Sequence, residues 1–135
     1  MDRILGIDYG EKRVGLAISD PLGYTAQALG YVINDTNCIT AIKQKVKEYD
    51  VQLIILGLPL NKDGEDSPKC KYVREFADSL KKDLSLDIKF WDERFSTVAV
   101  TRHLIEADVS RKKRKEVVDT QAAVFILQGY LDSIS

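Results

Sequence analysis

The sequence predicts an α/β fold built on a five-stranded mixed sheet with helices on both faces. Three observations lead there. Three short apolar segments follow one another before residue 34, too closely spaced for helices between them. An unbroken apolar run, Leu53-Ile54-Ile55-Leu56, stands between two stretches of helical periodicity. A further short strand, Ile88 to Trp91, precedes a C-terminal part that reads as helical.

Ile4 to Tyr9 is short, apolar and punctuated by Gly6 and Gly10, which suits a first strand. Arg13 to Ile18 alternates Val14, Leu16 and Ile18 with smaller residues, as a second strand does. Asp20-Pro21-Leu22-Gly23 is a turn, and Ala26 to Ile33 a third strand, so the first three strands form an antiparallel meander. Ile39, Ile42, Val46 and Tyr49 then follow helical spacing, with Asn37 in the N-cap position. Leu53 to Leu56 has no polar interruption, the pattern of a parallel strand covered on both faces. After a loop from Gly57 to Ser67, Ser67-Pro68 offers an N-cap followed by proline at the first helical position. Val73, Phe76, Ala77, Leu80 and Leu84 make the apolar stripe of that second helix. Ile88 to Trp91 is the fifth strand. A helix begins near Ser96-Thr97, a basic run interrupts it, and a last helix covers Val117 to Leu131. A meander joined to two crossover units is the ribonuclease H-like arrangement. A flavodoxin-like sheet needs helices between its first strands, and there is no room for them.

The chain has 135 residues, no internal repeat and no linker, so one domain is expected over 1–135. Apolar residues make up 44% and charged residues 30%, enough for a core and a soluble surface. No apolar run approaches the roughly 18 residues a membrane span requires, and MDRILGIDYG lacks the pattern of a signal peptide. Cys38 and Cys70 have neither metal-ligand spacing nor disulfide density, and with a single histidine, His103, the composition argues against zinc chemistry. A cytoplasmic protein without a membrane partner, a monomer or weak homodimer, is the expectation. The net charge of −1 is unevenly distributed. Between Arg94 and Lys115 seven basic residues face two acids, so this segment carries +5 and the remainder −6. Such a patch suits a polyanion held at one place, although a solvated charged loop gives the same composition.

Three carboxylates stand in unusual places. Asp8 shares a face with Ile4 and Gly6 in an apolar strand, where an acid must be paired, hydrogen-bonded or metal-bound. Gly10, Lys12, Arg13 and Gly15 follow it in a tight hairpin whose glycines admit a phosphate backbone and whose cations reach it. Glu93 lies at a strand end in Trp91-Asp92-Glu93-Arg94. Asp92 and Glu93 point to opposite faces, so one of them shares a site with Asp8. Asp119 falls on one helical stripe with Ala122, Ala123 and Ile126, the small-residue face that should lie against the sheet. Singly, each acid has an ordinary explanation: turn amides for Asp8, a surface ion pair for Glu93, the helix dipole for Asp119. Three acids on one site repel unless a hard cation bridges them, and Mg²⁺ or Mn²⁺ prefers oxygen ligands. Asp8, Glu93 and Asp119 are then metal ligands of a phosphodiester hydrolase, with Lys12, Arg13 or Arg94 on the scissile phosphate. Arg111, Lys112, Lys113, Arg114 and Lys115, just ahead of Asp119, are expected to contact phosphates and not bases. Trp91 and Phe95 suit packing better than base stacking.

GIDYGEKRVGLAISD (6 to 20), GLPLNKDGEDS (57 to 67), DERFST (92 to 97) and VVDTQAAVFILQGYL (117 to 131) resemble the YqgF family in order and spacing over almost the whole chain. Members are regarded as pre-16S rRNA nucleases, and earlier as Holliday junction resolvases. The resemblance implies a ribonuclease H-like fold, catalytic carboxylates at Asp8, Glu93 and Asp119, and pre-rRNA or branched DNA bound near Arg13, Asn61 and Arg94. The family's threonine pair after its Asp-Glu-Arg stands here as Ser96-Thr97, which keeps the hydroxyls. Two rivals remain. The segment from Asp8 to Gly15 also resembles the first phosphate loop of actin-like ATPases, but those place nucleotide between two lobes. A non-catalytic factor on ribosomal RNA or the transcription machinery is the stronger rival.

Overall fold

The structure is a computed structural model that describes residues 3–95 and 111–135, with side chains described at 3–94 and 121–135. Strand β1, Arg3–Asp8, pairs antiparallel with β2, Arg13–Ser19, which pairs antiparallel with β3, Ala26–Ile33. On its other side β1 runs parallel to β4, Val51–Leu58, and β4 parallel to β5, Asp87–Asp92. The spatial order is β3-β2-β1-β4-β5. Parallel neighbours need crossover connections. Helix α1, Cys38–Tyr49, lies between β3 and β4 in sequence, and α2, Pro68–Asp83, between β4 and β5. Helix α3, Arg111–Ile134, covers the opposite face.

Side-chain alternation divides the core in two. Leu5, Ile7, Val14, Leu16, Ile54 and Leu56 pack with Ile42, Val46, Val73 and Leu80 of α1 and α2. Ile4, Ala17 and Ile55, one residue out of phase, pack with Ala122, Ala123, Ile126, Leu127 and Leu131 of α3. The second layer is the tighter one. A Cβ on Gly6 would lie 2.7 Å from Leu127 Cβ and 3.1 Å from the Ala123 carbonyl oxygen. Gly6 is therefore glycine because the helix backbone rests on it.

The expected order of elements along the chain through the fifth strand, the five-stranded mixed sheet, the two crossovers and the helices on both faces are all present. The strand ends differ by a residue or two, and β4 extends through Leu58, so Gly57 belongs to the strand and not to the loop after it. Asn37 and Ser67 occupy the predicted cap positions without capping through their side chains. Asp35 does the work for α1: its Oδ1 accepts the Asn37 amide at 2.9 Å and its carbonyl the Cys38 amide at 3.1 Å. At α2 the Ser67 carbonyl accepts the Cys70 amide while its hydroxyl faces Cys70 Sγ. The predicted break at the basic run is a further correction. Arg111 to Lys115 form the first turn of α3 instead of a loop before it. Lysine and arginine are good helix formers, and like-charge pairs on a helix cost only a few tenths of a kcal/mol each, so the backbone prevails. The helix expected near Ser96-Thr97, and His103, lie outside the described residues. No helix among the described residues is long and apolar enough to cross a membrane.

The parallel β1–β4 register shifts between Arg3 and Ile4, and the Ile4 amide there donates to Ser19 Oγ at 2.8 Å. Both groups are buried, so Ser19→Ala leaves a buried N–H without an acceptor. We expect a loss of about 1–3 kcal/mol, read as a lower urea midpoint at unchanged m-value. A variant as stable as the parent would show that the amide does not depend on that hydroxyl.

Candidate active site

Sheet register, carried through the ends of β1 and β4, lines up the residues that matter. Asp8 is the last residue of β1, paired with Gly15 of β2. Gly6 pairs with Ile55 and Ile7 with Leu56, so Gly57 is level with Asp8 on the neighbouring strand. Asp8, Gly6 and Ile4 share the face covered by α3, as do Gly57 and Ile55. Asp8 is 3% exposed, a carboxylate kept almost wholly from water.

Glu93 follows β5 as the first residue of a short 3-10 turn, Glu93–Phe95. Its carboxyl carbon lies 3.3 Å from where a Cβ on Gly57 would stand, and that position also meets the end of Ile126 from α3. The glycine thus leaves the space in which Glu93 lies. Asp8 and Glu93 share one face of the sheet, with only the bare Gly57 strand between their elements. Strands stand about 4.8 Å apart, so the two elements are about two such spacings from one another.

Asp92 turns elsewhere. Its oxygens accept from Arg94 Nε at 3.1 Å and Nη2 at 2.7 Å, and from the Arg94 amide at 2.9 Å. The side-chain bonds from Arg94 hold the Asp92 carboxyl below the usual range. That contribution to stability is present above the unfolded aspartate value near 3.9 and lost as pH falls through the lower folded one, and it is small for so accessible a pair. Arg94 Nη1 also donates to the Lys62 carbonyl at 3.2 Å, tying the loop after β4 to the end of β5. Within that loop the Asn61 amide donates to Glu65 O and its side chain to Asp66 O. Arg94 and Asn61 therefore shape the loop beside Glu93.

The β1–β2 hairpin is equally constrained. A Cβ on Gly10 would collide with the Arg13 carbonyl. Asn34 latches the loop, donating its amide to Lys12 O at 2.9 Å and Nδ2 to Gly10 O at 2.8 Å. Lys12 is exposed there, while Arg13 is half-buried with its guanidinium carbon 5.5 Å from the centre of the Tyr31 ring. Trp91 packs beneath α3 edge-on to Tyr130, as a core residue. Burial, aided by Asp35, pushes the Cys38 thiol up to about 11, which leaves it a packing residue and not a nucleophile.

Asp8 and Glu93 thus stand on one face of the sheet, on either side of the Gly57 strand. The side chains of Asp119 and of Arg111 to Arg114 lie outside those described, as does Lys115, whereas Ala122, Ala123 and Ile126 of the Asp119 stripe are buried against the sheet as expected. Among the described residues no group of three or more His, Cys, Asp and Glu is arranged to hold a metal ion. Oxygen donors alone on a buried face suit a hard divalent cation and not zinc. The sequence places Gly57 at the start of a loop and gives Tyr31 no part beyond the third strand; that both are level with Asp8 follows only from cross-strand register.

The family model for RuvX, described as Holliday junction resolvase, matches residues 2–133. A protein of Halothermothrix orenii named "Putative pre-16S rRNA nuclease" is 52% identical over 132 residues, covering 96% of this chain and 94% of its own. One of the same name from Clostridium botulinum strain Hall is 49% identical over 135 residues, covering 98% of each. Among solved structures, Thermus thermophilus RuvC with a Holliday junction substrate aligns at TM-score 0.59 and 8% identity, covering 98% of this chain and 95% of that one. Fowlpox virus resolvase with Holliday junction DNA aligns at 0.57 and 16%, covering 98% of each. These two likenesses are of fold, and the fold is ribonuclease H-like.

The contact of Glu93 with the Gly57 position gives a direct test. Gly57→Ala should cost about 1–3 kcal/mol by overpacking against Ile126 and displacing Glu93. Ile126→Val removes the terminal carbon of Ile126 that meets the new methyl, so the double variant should lose less than the sum of the two single ones in urea unfolding. Strict additivity would show that Ile126 does not close over Gly57.

Proposed function

The chain belongs to the RuvX (YqgF) family, and from that premise we propose that it is a divalent-metal-dependent endonuclease acting on pre-16S rRNA. The observation that carries the reading is the placement of buried Asp8 and of Glu93 on one face, at the ends of strands separated only by the bare Gly57. Carboxylates placed on one face offer the oxygen donors that a hard divalent cation prefers.

Asp119 is the third member of the set. Gln128 of α3 accepts the Ala26 amide at 2.9 Å and donates to the Tyr24 carbonyl at 3.0 Å. Ala26 pairs with Ser19, which in turn meets Ile4 at the start of β1. Helix α3 therefore runs against the direction of β1, with Gly6 beneath Ala123 and Leu127. One helical turn before Ala123, about 5.4 Å, is residue 119; two strand residues beyond Gly6, about 6.6 Å, is Asp8. The backbone brings both to one level, which supports their sharing a site.

Asp8, Glu93 and Asp119 would hold Mg²⁺ or Mn²⁺, which when bound supplies an activated water and stabilises charge on the phosphate oxygens. The protein's own part is positioning. Asp8 is fixed by the sheet, Glu93 by Gly57 and Ile126, and the loop beside them by Arg94. Lys12 and Arg13 on the hairpin, with Arg111 to Lys115 at the start of α3, offer positive charge to the flanking phosphates. Branched DNA is the second substrate to consider, because the family's description is of junction resolution.

Asp8→Asn should abolish cleavage of a precursor rRNA fragment, by more than the roughly 100-fold that even outer partners of metal ligands contribute. The fold should remain and the melting temperature of metal-free protein stay level or rise, since one of several repelling charges is gone. Running the same variant on a four-way junction decides between the substrates. Normal cleavage, or a variant that unfolds, would make Asp8 structural.

A further inference from the structure

We propose that Tyr31 and Arg13 form a clamp for an unpaired nucleotide beside the scissile phosphodiester, so that the site takes single-stranded and not duplex nucleic acid. This rests on the nuclease reading above and adds to it the form of the substrate. Asp8 pairs with Gly15, and Gly15 with Tyr31, so Tyr31 stands on the face and at the level of the acids, two strands from Asp8. Between them is a glycine with no side chain. Two strand spacings make about 10 Å, a span bridged by one nucleotide from phosphate to base. On β3, at the edge of the sheet, Tyr31 is 37% exposed, so its ring is open to a ligand. The Arg13 guanidinium lies over this ring at 5.5 Å. Its Nε–H is buried and meets no acceptor among the described residues. A buried donor of a permanent cation without an acceptor is costly, and a phosphate oxygen is an acceptor that matches its charge. A ring backed by a cation is a stacking platform for any base, but the base must be out of a duplex to reach it.

The test measures binding by fluorescence anisotropy, with chelator present to prevent cleavage, of a short labelled single-stranded RNA and of its duplex. Tyr31→Leu should weaken single-strand binding by about 5- to 150-fold, the range of base stacking on an aromatic side chain, with duplex binding and salt slope unchanged. Tyr31→Phe should restore single-strand affinity to within about twofold, because the ring and not the hydroxyl carries the effect. Arg13→Gln should reduce the salt slope by about 0.7, the loss of one single-strand phosphate contact. The clamp is overturned if Tyr31→Leu leaves single-strand affinity intact, if it weakens both forms equally, or if Tyr31→Phe fails to restore binding. Parent protein that binds neither RNA would overturn the nuclease reading as well; binding indifferent to Tyr31 would overturn the clamp alone.

Discussion

The close approach of α3 to the sheet is the constraint on which the rest of the molecule depends. Gly6 gives the helix a floor: its missing Cβ leaves the space that Leu127 and the Ala123 backbone occupy. Gly57, on the next strand, does the same for Ile126. The facing helix surface is correspondingly small, with Ala122 and Ala123 buried between the larger Ile126, Leu127 and Leu131. Small residues on both sides let a helix and a sheet approach closely, and apolar burial holds them there. The opposite layer has no such device, because larger side chains from α1, α2 and the strands separate its elements.

That approach has an electrostatic consequence. The strip of sheet under α3 contains Ile4, Gly6 and Asp8 in alternation, so the pattern that buries Ile4 also buries Asp8. Glu93 reaches the same strip only because Gly57 leaves room. Two acids thus stand on the strip that α3 covers, one buried and one half-buried. The nearby Asp92 points the other way. It pairs with Arg94, which fastens a loop by reaching the Lys62 carbonyl. Adjacent residues at one strand end thus serve separate purposes because successive side chains leave on opposite sides.

Much of this was legible in the sequence. Period-two alternation in β2 and the unbroken apolar run of β4 distinguish half-buried from fully buried strands, and they led to the correct sheet. The stripe through Ala122, Ala123 and Ile126 identified the face of α3 that packs. The opposite orientations of Asp92 and Glu93 followed from alternation alone. What escaped was what depends on contacts distant in sequence or on competition between local interactions. Asn37 is a good cap by residue type, but Asp35 already satisfies the start of α1. Five adjacent cations suggested a loop, yet helix propensity outweighs modest screened repulsion. Tyr31 carries no local signal; only the pairing of β1 with β2 and of β2 with β3 places it in line with Asp8.

The central claim is that closing α3 over the two glycines gathers the acids of three separate elements around one cation. Backbone-amide NMR during titration of the metal-free protein with Mn²⁺ tests it most directly, because paramagnetic broadening marks the residues nearest the ion. Broadening should come first at residues 8–9, 57–58, 92–93 and 118–120 together, at an occupancy that leaves the loop acids Asp63, Glu65 and Asp66 sharp. Broadening that begins at those loop acids, or that reaches Asp8 without residues 118–120, would contradict it.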